Sequence, residues 1–286
     1  MKIRIGTRSS RLAMTQTELF AHELRKIGGI ETEIIPISTK GDKTLDKPLS
    51  KIGGKGVFVG EIEKALLDSE IDCAVHSAKD LPVRLAEGLE ISGVLKRSDC
   101  RDLLLYKKGA DINRKGFVIG TGSLRRRMNF RRMFPYSEFA EIRGNVDTRI
   151  RKLVSGEYDG IILACAGLER LGIDPQSFGL ETKIFSPREF VPAPCQGIIA
   201  VETKSGTEAA RLAAEISHKE TLLRFQTERE VTRLLNADCT VPLGACSFVD
   251  SGMITLFVSK SEDKILTGHA ELSRRLELAE SLVKKL

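Results

Sequence analysis

A chain of 286 residues exceeds one ordinary core and points to two or three domains, which its 41% apolar residues can fill. No apolar run approaches the roughly 18 residues of a membrane span, and the N-terminus opens on a strand pattern rather than a signal peptide, so a cytoplasmic protein with no membrane partner is expected. Six cysteines lie scattered without a C-x-x-C pair, which argues against a zinc site or a disulfide framework, and the net charge of +6 is concentrated in arginines between Arg125 and Arg151, where something acidic should bind.

Residues 2–6 alternate as a strand, and Ser10 is placed to cap a helix whose Leu12, Leu19, Leu24 and Ile27 share a face until Gly28 and Gly29 end it. A second strand over 31–39 is followed by a polar loop over 40–55, long enough to suggest a lid, and by a helix over 57–68. Strand 71–75 then delivers His76, Ser77, Lys79 and Asp80 into a turn that Pro82 stiffens, and strand 89–95 completes a β-α-β-α-β unit. That stretch reads equally well as a polar loop capping a buried strand.

The polar segment 96–101 marks a crossing, after which the rhythm restarts. Strands 102–106 and 117–120 lead into Gly120-Thr121-Gly122-Ser123-Leu124-Arg125-Arg126, with Ser123 as N-cap of a helix running to 134. Strand 138–142 meets Arg143-Gly144-Asn145-Val146-Asp147-Thr148-Arg149, which opens another helix, and strand 159–164 leads to Ala166-Gly167-Leu168-Glu169-Arg170. Residues 187–197, with three prolines, form a stiff connector; strand 197–202 and helix 207–216 return the chain to the first lobe. A long helix over 218–237 is broken at Cys239-Thr240-Val241-Pro242-Leu243-Gly244, and strands 245–249, 253–259 and 265–271 precede a final helix over 273–286. The fold class is α/β: two similar doubly wound lobes, periplasmic-binding-protein-like, plus a small C-terminal α+β domain with a three-stranded antiparallel sheet. The expected domains are 1–96 with 197–216, then 100–192, then 218–286.

Helix N-termini present unpaired N–H groups and partial positive charge, so arginines fixed beside glycines at such turns suit carboxylates or phosphates. Ser123, Arg125, Arg126, Arg143 and Arg149 make a socket for several anions, whereas Arg127, Arg131 and Arg132 read as a solvated basic face. No tryptophan, three tyrosines and no recognised RNA or zinc module argue against a nucleic-acid partner. An enzyme and a two-lobed small-anion binding or sensing module without catalysis both fit this pattern. Cys239, in a loop after a helix end, is the cysteine best placed to project into a cleft.

Taken together, Gly6-Thr7-Arg8-Ser9-Ser10, Gly53-Gly54-Lys55-Gly56-Val57-Phe58, His76 to Pro82, Gly120 to Arg126, Arg143 to Arg149 and Cys239 to Gly244 closely resemble, in order, the motifs of the porphobilinogen deaminase (hydroxymethylbilane synthase) family. Two positions depart from it: Cys195 stands where the family commonly has glycine before Gln196-Gly197, and Ala237-Asp238 where it commonly has Gly-Gly. A monomer is the default expectation, since oligomeric state cannot be read from the sequence. The resemblance implies a transferase that joins four porphobilinogen molecules head to tail, releasing ammonia at each step, on a dipyrromethane cofactor in thioether linkage to Cys239. It implies Asp80 as the catalytic carboxylate, stabilising the cationic azafulvene formed when ammonia leaves. Lys79, Ser77, Ser123, Arg125, Arg126 and Gly144 are implied to bind the cofactor, and Arg8, Ser10, Thr121, Arg143, Arg149, Arg170 and Gln196 the substrate. No metal is implied.

Overall fold

The computed structural model describes residues 1–39, 41, 59–237 and 241–286; all of the expected 40–55 loop except Gly41, the start of the 57–68 helix, and Cys239 lie outside them. Two compact units are present, Met1–Ser98 with Ile198–Phe225, and Asp99–Gly197 with Gln226–Leu286. The described strands are, in chain order, β1 Lys2–Arg8, β2 Glu31–Ile37, β3 Cys73–Ser77, β4 Leu89–Val94, β5 Asp102–Lys107, β6 Val118–Gly120, β7 Glu138–Ala140, β8 Gly160–Ala164, β9 Leu180–Ile184, β10 Ile199–Lys204, β11 Gly244–Asp250, β12 Met253–Ser259 and β13 Ile265–Glu271.

In the first unit the sheet order is β2-β1-β3-β10-β4, with β1 parallel to both neighbours and β10 antiparallel to β3 and β4. Helix Arg11–Lys26 starts where the Ser10 Oγ accepts the Ala13 N–H at 3.3 Å. It packs Phe20, Ala21 and Leu24 against Ile3, Ile5, Val75 and Val201 on one face of the sheet. Helix Gly60–Leu67 covers the other face with Ile62, Ala65 and Leu66 against Ile71 and Ala74. Each fully buried large side chain there contributes about 1.5–3 kcal/mol.

The second unit repeats the plan in the order β7-β6-β8-β5-β9, where β6 is parallel to its neighbours and β5 runs against β8 and β9. One face packs Ile150 and Leu153 from helix Val146–Val154 and Leu168 from helix Cys165–Leu171 against Leu103, Leu105 and Ile161. The other is aromatic: Phe130 from helix Leu124–Met133 meets Phe185 edge-on, and Phe185 stacks on Phe190 at 4.5 Å between centroids. The three-stranded antiparallel sheet β11-β12-β13 also belongs to this unit and buries Ala245, Leu256 and Val258 against Val231 and against Ala279 and Leu282 of helix Arg275–Val283.

Two differences from the sequence reading bear on the sheets. Strand β3 runs two residues later than the apolar run 71–75 suggests, so His76 and Ser77 belong to the strand: β10 pairs with them, Ala200 opposite His76 and Ile199 opposite Ser77. Strand β9, Leu-Glu-Thr-Lys-Ile, is too polar to stand out by composition and forms because it is an edge partner of β5, exposed along most of its length.

Candidate active site

In the first unit the residues of interest lie at the carboxyl ends of parallel strands, where open α/β sheets bind ligands. Strand β1 ends at Arg8, which is half-buried, and hands over to the Ser10 cap. Strand β3 ends at Ser77, whose hydroxyl donates to the Gln16 Oε1 at 3.0 Å, and a single 3-10 turn, Ala78–Asp80, follows. That turn is pinned by its main chain, since the Ala78 N–H donates to the Ile198 carbonyl at 3.0 Å and the Leu81 N–H to the Ala78 carbonyl at 3.3 Å. Lys79 is half-buried; Asp80 is exposed, and its carboxylate has no hydrogen bond among the described residues. Behind it His76 Nε2 lies 2.9 Å from Glu202 Oε2, both side chains buried, without the alignment of a hydrogen bond. Burial raises the Glu63 carboxyl above its ordinary range, a shift its hydrogen bond from the Ala86 N–H partly offsets.

The second unit offers three strand ends. After β6, the buried Thr121 Oγ1 accepts the Ser123 N–H at 3.2 Å, and the Ser123 Oγ accepts the Arg126 N–H at 3.4 Å as N-cap of helix Leu124–Met133. Arg125 and Arg126, which the helix start was expected to show to ligand, are 5% and 7% exposed. Both converge on Asp102: Arg125 Nη1 reaches Oδ2 at 2.8 Å and Arg126 Nε reaches Oδ1 at 2.9 Å. Arg125 also donates to the Val191 carbonyl and Arg126 to the Ile162 carbonyl. Asp102 opens a strand of leucines, and a lone acid in that setting was the sequence signal that went unread.

After β7 comes Arg143, then Gly144 at φ +112°, where a Cβ would sit 2.8 Å from Thr148 Cγ2; this turn admits only glycine. The Asn145 Oδ1 accepts the Thr148 N–H at 2.9 Å to cap helix Val146–Val154, and Arg149 Nε donates to the Gly144 carbonyl at 2.8 Å. Arg143 and Arg149 are half-buried. After β8, helix Cys165–Leu171 carries Arg170, whose guanidinium burial pushes down to about 10, partly countered by Glu169, and whose Nη2 donates to the Gly197 carbonyl at 2.5 Å. Gln196 is buried, and its Nε2 donates to the Cys100 carbonyl at 2.8 Å.

The arginines read as a solvated face divide: Arg131 is exposed, as expected, while Arg127 and Arg132 are half-buried. Arg127 holds the Thr121 carbonyl and Glu141, Arg131 lies over the Phe139 ring at 5.2 Å, and Arg132 donates to Asn129 and the Glu189 carbonyl. Sequence reasoning also missed Gln16, and it missed Glu228, which is fully buried in helix Lys219–Leu234.

In an α/β fold of this kind the second unit's strand ends carry arginines and capped helix N-termini, a donor set suited to anions, and the first unit's carry Asp80 on a 3-10 turn. A family model described as "Porphobilinogen deaminase, dipyromethane cofactor binding domain" matches residues 3–212. A porphobilinogen deaminase of Lachnospira eligens is 43% identical over 276 residues, covering 93% of this chain and 92% of that one. A probable porphobilinogen deaminase of Picrophilus torridus is 41% identical over 263 residues, covering 92% and 91%. The chloroplastic porphobilinogen deaminase of Euglena gracilis is 41% identical over 261 residues; this chain spans 89% of itself in that match and 54% of that protein. Among solved structures, an ancestral arginine-binding protein overlaps with a TM-score of 0.43 at 14% identity, over 75% of this chain and 90% of that one, a likeness too distant to bear on function.

The chain belongs to the porphobilinogen deaminase family. It is a transferase that polymerises four porphobilinogen molecules, with loss of ammonia, into the linear tetrapyrrole hydroxymethylbilane on a covalently bound dipyrromethane cofactor. The donor set fits that group, because two linked pyrroles with acetate and propionate side chains ask for arginines and N–H groups at several fixed positions. Among the described residues no helix is long and apolar enough to cross a membrane, and no group of acids, histidines and cysteines could hold a metal.

Proposed function

We propose that Asp80 is the catalytic carboxylate of this polymerisation. The observation that carries it is an exposed carboxylate on a turn fixed by main-chain bonds, with no charged partner among the described residues, so that its oxygens can meet pyrrole N–H groups and the positive charge that develops on the substrate as ammonia departs. Cys239 carries the cofactor, which when bound supplies the nucleophilic pyrrole carbon to which rings are added. Ser77, Lys79, Ser123, Arg125, Arg126 and Gly144 hold the cofactor, the last through the close main-chain approach its turn allows. Arg8, Ser10, Thr121, Arg143, Arg149, Arg170 and Gln196 bind the carboxylates of substrate and growing chain.

The reading includes three domains, 1–96 with 197–216, 100–192 and 218–286; the separate core around Val231, Leu256 and Ala279 supports the third. It also has the enzyme act as a monomer in the cytoplasm, without nucleic acid or membrane. The five described cysteines, all buried free thiols, accord with a reducing compartment, and the arginines gather at strand ends rather than in a surface stripe.

Asp80→Asn removes the charge while keeping size, so ammonia release from cofactor-loaded protein should fall by about 10²-fold or more, with the unfolding midpoint unchanged. Asp80→Glu moves the carboxylate by about a methylene and should retain little activity. Intact mass establishes loading before any rate is read. Wild-type ammonia release by loaded Asp80→Asn would remove Asp80 from the mechanism.

A further inference from the structure

The turn Pro194–Gly197 contains one of the second unit's non-glycine residues at positive φ. Cys195 sits at φ +60°, in the left-handed region that a side chain with a Cβ enters only at a cost, and the glycine common in the family would pay none of it. The surroundings must therefore hold this conformation in place. What holds it is Glu228: Oε2 accepts the Cys195 N–H at 2.7 Å, while Oε1 accepts both the Ser247 N–H and the Ser247 hydroxyl, each at 2.7 Å. Carboxylate, thiol and hydroxyl are all buried, so these are charge-class hydrogen bonds shielded from water.

The same turn presents the Gly197 carbonyl to Arg170 Nη2 at 2.5 Å and, by the Gln196 side chain, grips the Cys100 carbonyl at 2.8 Å. Arg170 is half-buried, with its Nε shut off from solvent, so its guanidinium has little freedom to find a new place if the carbonyl that receives it moves. We infer that Glu228 is a positioning residue: by clamping Cys195 in its left-handed conformation it fixes the carbonyl that aims Arg170, and with it the grip on a substrate carboxylate. This rests on the substrate-binding role proposed for Arg170.

Glutamine is the informative replacement. It offers one acceptor oxygen and one NH2 donor, and either orientation sets that donor against a backbone N–H, of Cys195 or of Ser247. Glu228→Gln should raise the KM for porphobilinogen about tenfold with a smaller change in kcat, the pattern of lost binding that ground and transition states share. Cys195 reports on the turn directly: it is 1% exposed, so alkylation mapped by peptide mass should be at least about tenfold faster in the variant, with Cys73, Cys165 and Cys246 still protected. Glu228→Gln/Cys195→Gly should recover most of the KM, because glycine holds the turn without the clamp. If Glu228→Gln does not fold, Glu228→Asp, with both oxygens set back by a methylene, serves for the same measurements.

A variant with wild-type KM and protected Cys195 overturns the inference, as does a loss of stability that Cys195→Gly fails to rescue, which would make Glu228 a fold residue only. Arg170→Leu separates the two layers. An unchanged KM there removes the substrate role of Arg170 and the inference's functional half, while faster Cys195 alkylation in Glu228→Gln still registers the clamp.

Discussion

Replacing Asp102 by asparagine tests what the paired arginines cost and contribute. The Asp102 side chain is 0% exposed and those of Arg125 and Arg126 are 6% and 9% exposed, so all three lie in surroundings where water screens little. Asparagine keeps one acceptor oxygen but turns an NH2 toward the other guanidinium, leaving two buried cations beside each other without the carboxylate they share. Breaking a buried ion pair from one side costs about 3–5 kcal/mol, whereas a surface pair contributes about 0–1. At a urea m value of about 3 kcal/mol/M the larger figure lowers the unfolding midpoint by about 1–1.7 M. Equilibrium urea unfolding followed by circular dichroism measures it, and Asp102→Asn/Arg126→Met, which takes away one of the orphaned charges, should recover part of the loss. A shift under about 0.3 M would mean that the cluster is solvated in practice, and Arg125 and Arg126 would then be as adaptable as any surface arginine.

If Cys239 carries the cofactor as a thioether, denatured protein should titrate five of its six cysteines, and intact mass should exceed the chain mass by two linked pyrroles; six titratable thiols would remove the assignment. Arg125→Leu and Arg143→Leu should accumulate different enzyme-bound intermediates on native electrophoresis, and wild-type elongation in either would return that residue to a structural role. Burial works to raise the Asp72 carboxyl, but the Arg4 side chain and N–H, at 2.7–3.1 Å, hold it below its ordinary 3.8. A lowered folded pKa stabilises above the unfolded value and is lost as pH falls through the folded one. Asp72→Asn should therefore be less stable than wild type at neutral pH, by about 1 kcal/mol or less for so exposed a pair, and the gap should narrow as pH falls below the ordinary carboxylate value of 3.8.

The parts of the fold that were legible in sequence are those decided within a few residues. Ser10 and Ser123 announce helix starts because a capping hydroxyl needs only the next turn of backbone, and Gly144 marks a tight turn for the same reason. Pairing across the chain left no such trace. Nothing near His76 says that it belongs to a strand, because the partner that makes it one is Ala200. The candidate arginines divide similarly: spacing puts Arg125 and Arg126 at a helix start, but their burial is decided by Asp102, 23 and 24 residues away. Glu228 was silent because an acid in a charge-rich helix reads as solvated until Cys195 and Ser247 close over it.

The contrast between the arginines and Asp80 follows from when each charge is needed. A substrate or cofactor carboxylate is present from the moment of binding, so groups that hold it can be fixed beforehand by acids and carbonyls, as the arginines proposed for that role, Arg125, Arg126 and Arg170, are. In the proposed mechanism the positive charge that Asp80 meets exists only while ammonia leaves. A permanent cation beside Asp80 would orient it but also spend its field before the reaction. Among the described residues the turn takes its rigidity instead from Ala78 and Ser77, through neutral hydrogen bonds to Ile198 and Gln16. Preorganisation of this kind places the charge without neutralising it, and that is the condition under which a single carboxylate lowers a barrier by several kcal/mol.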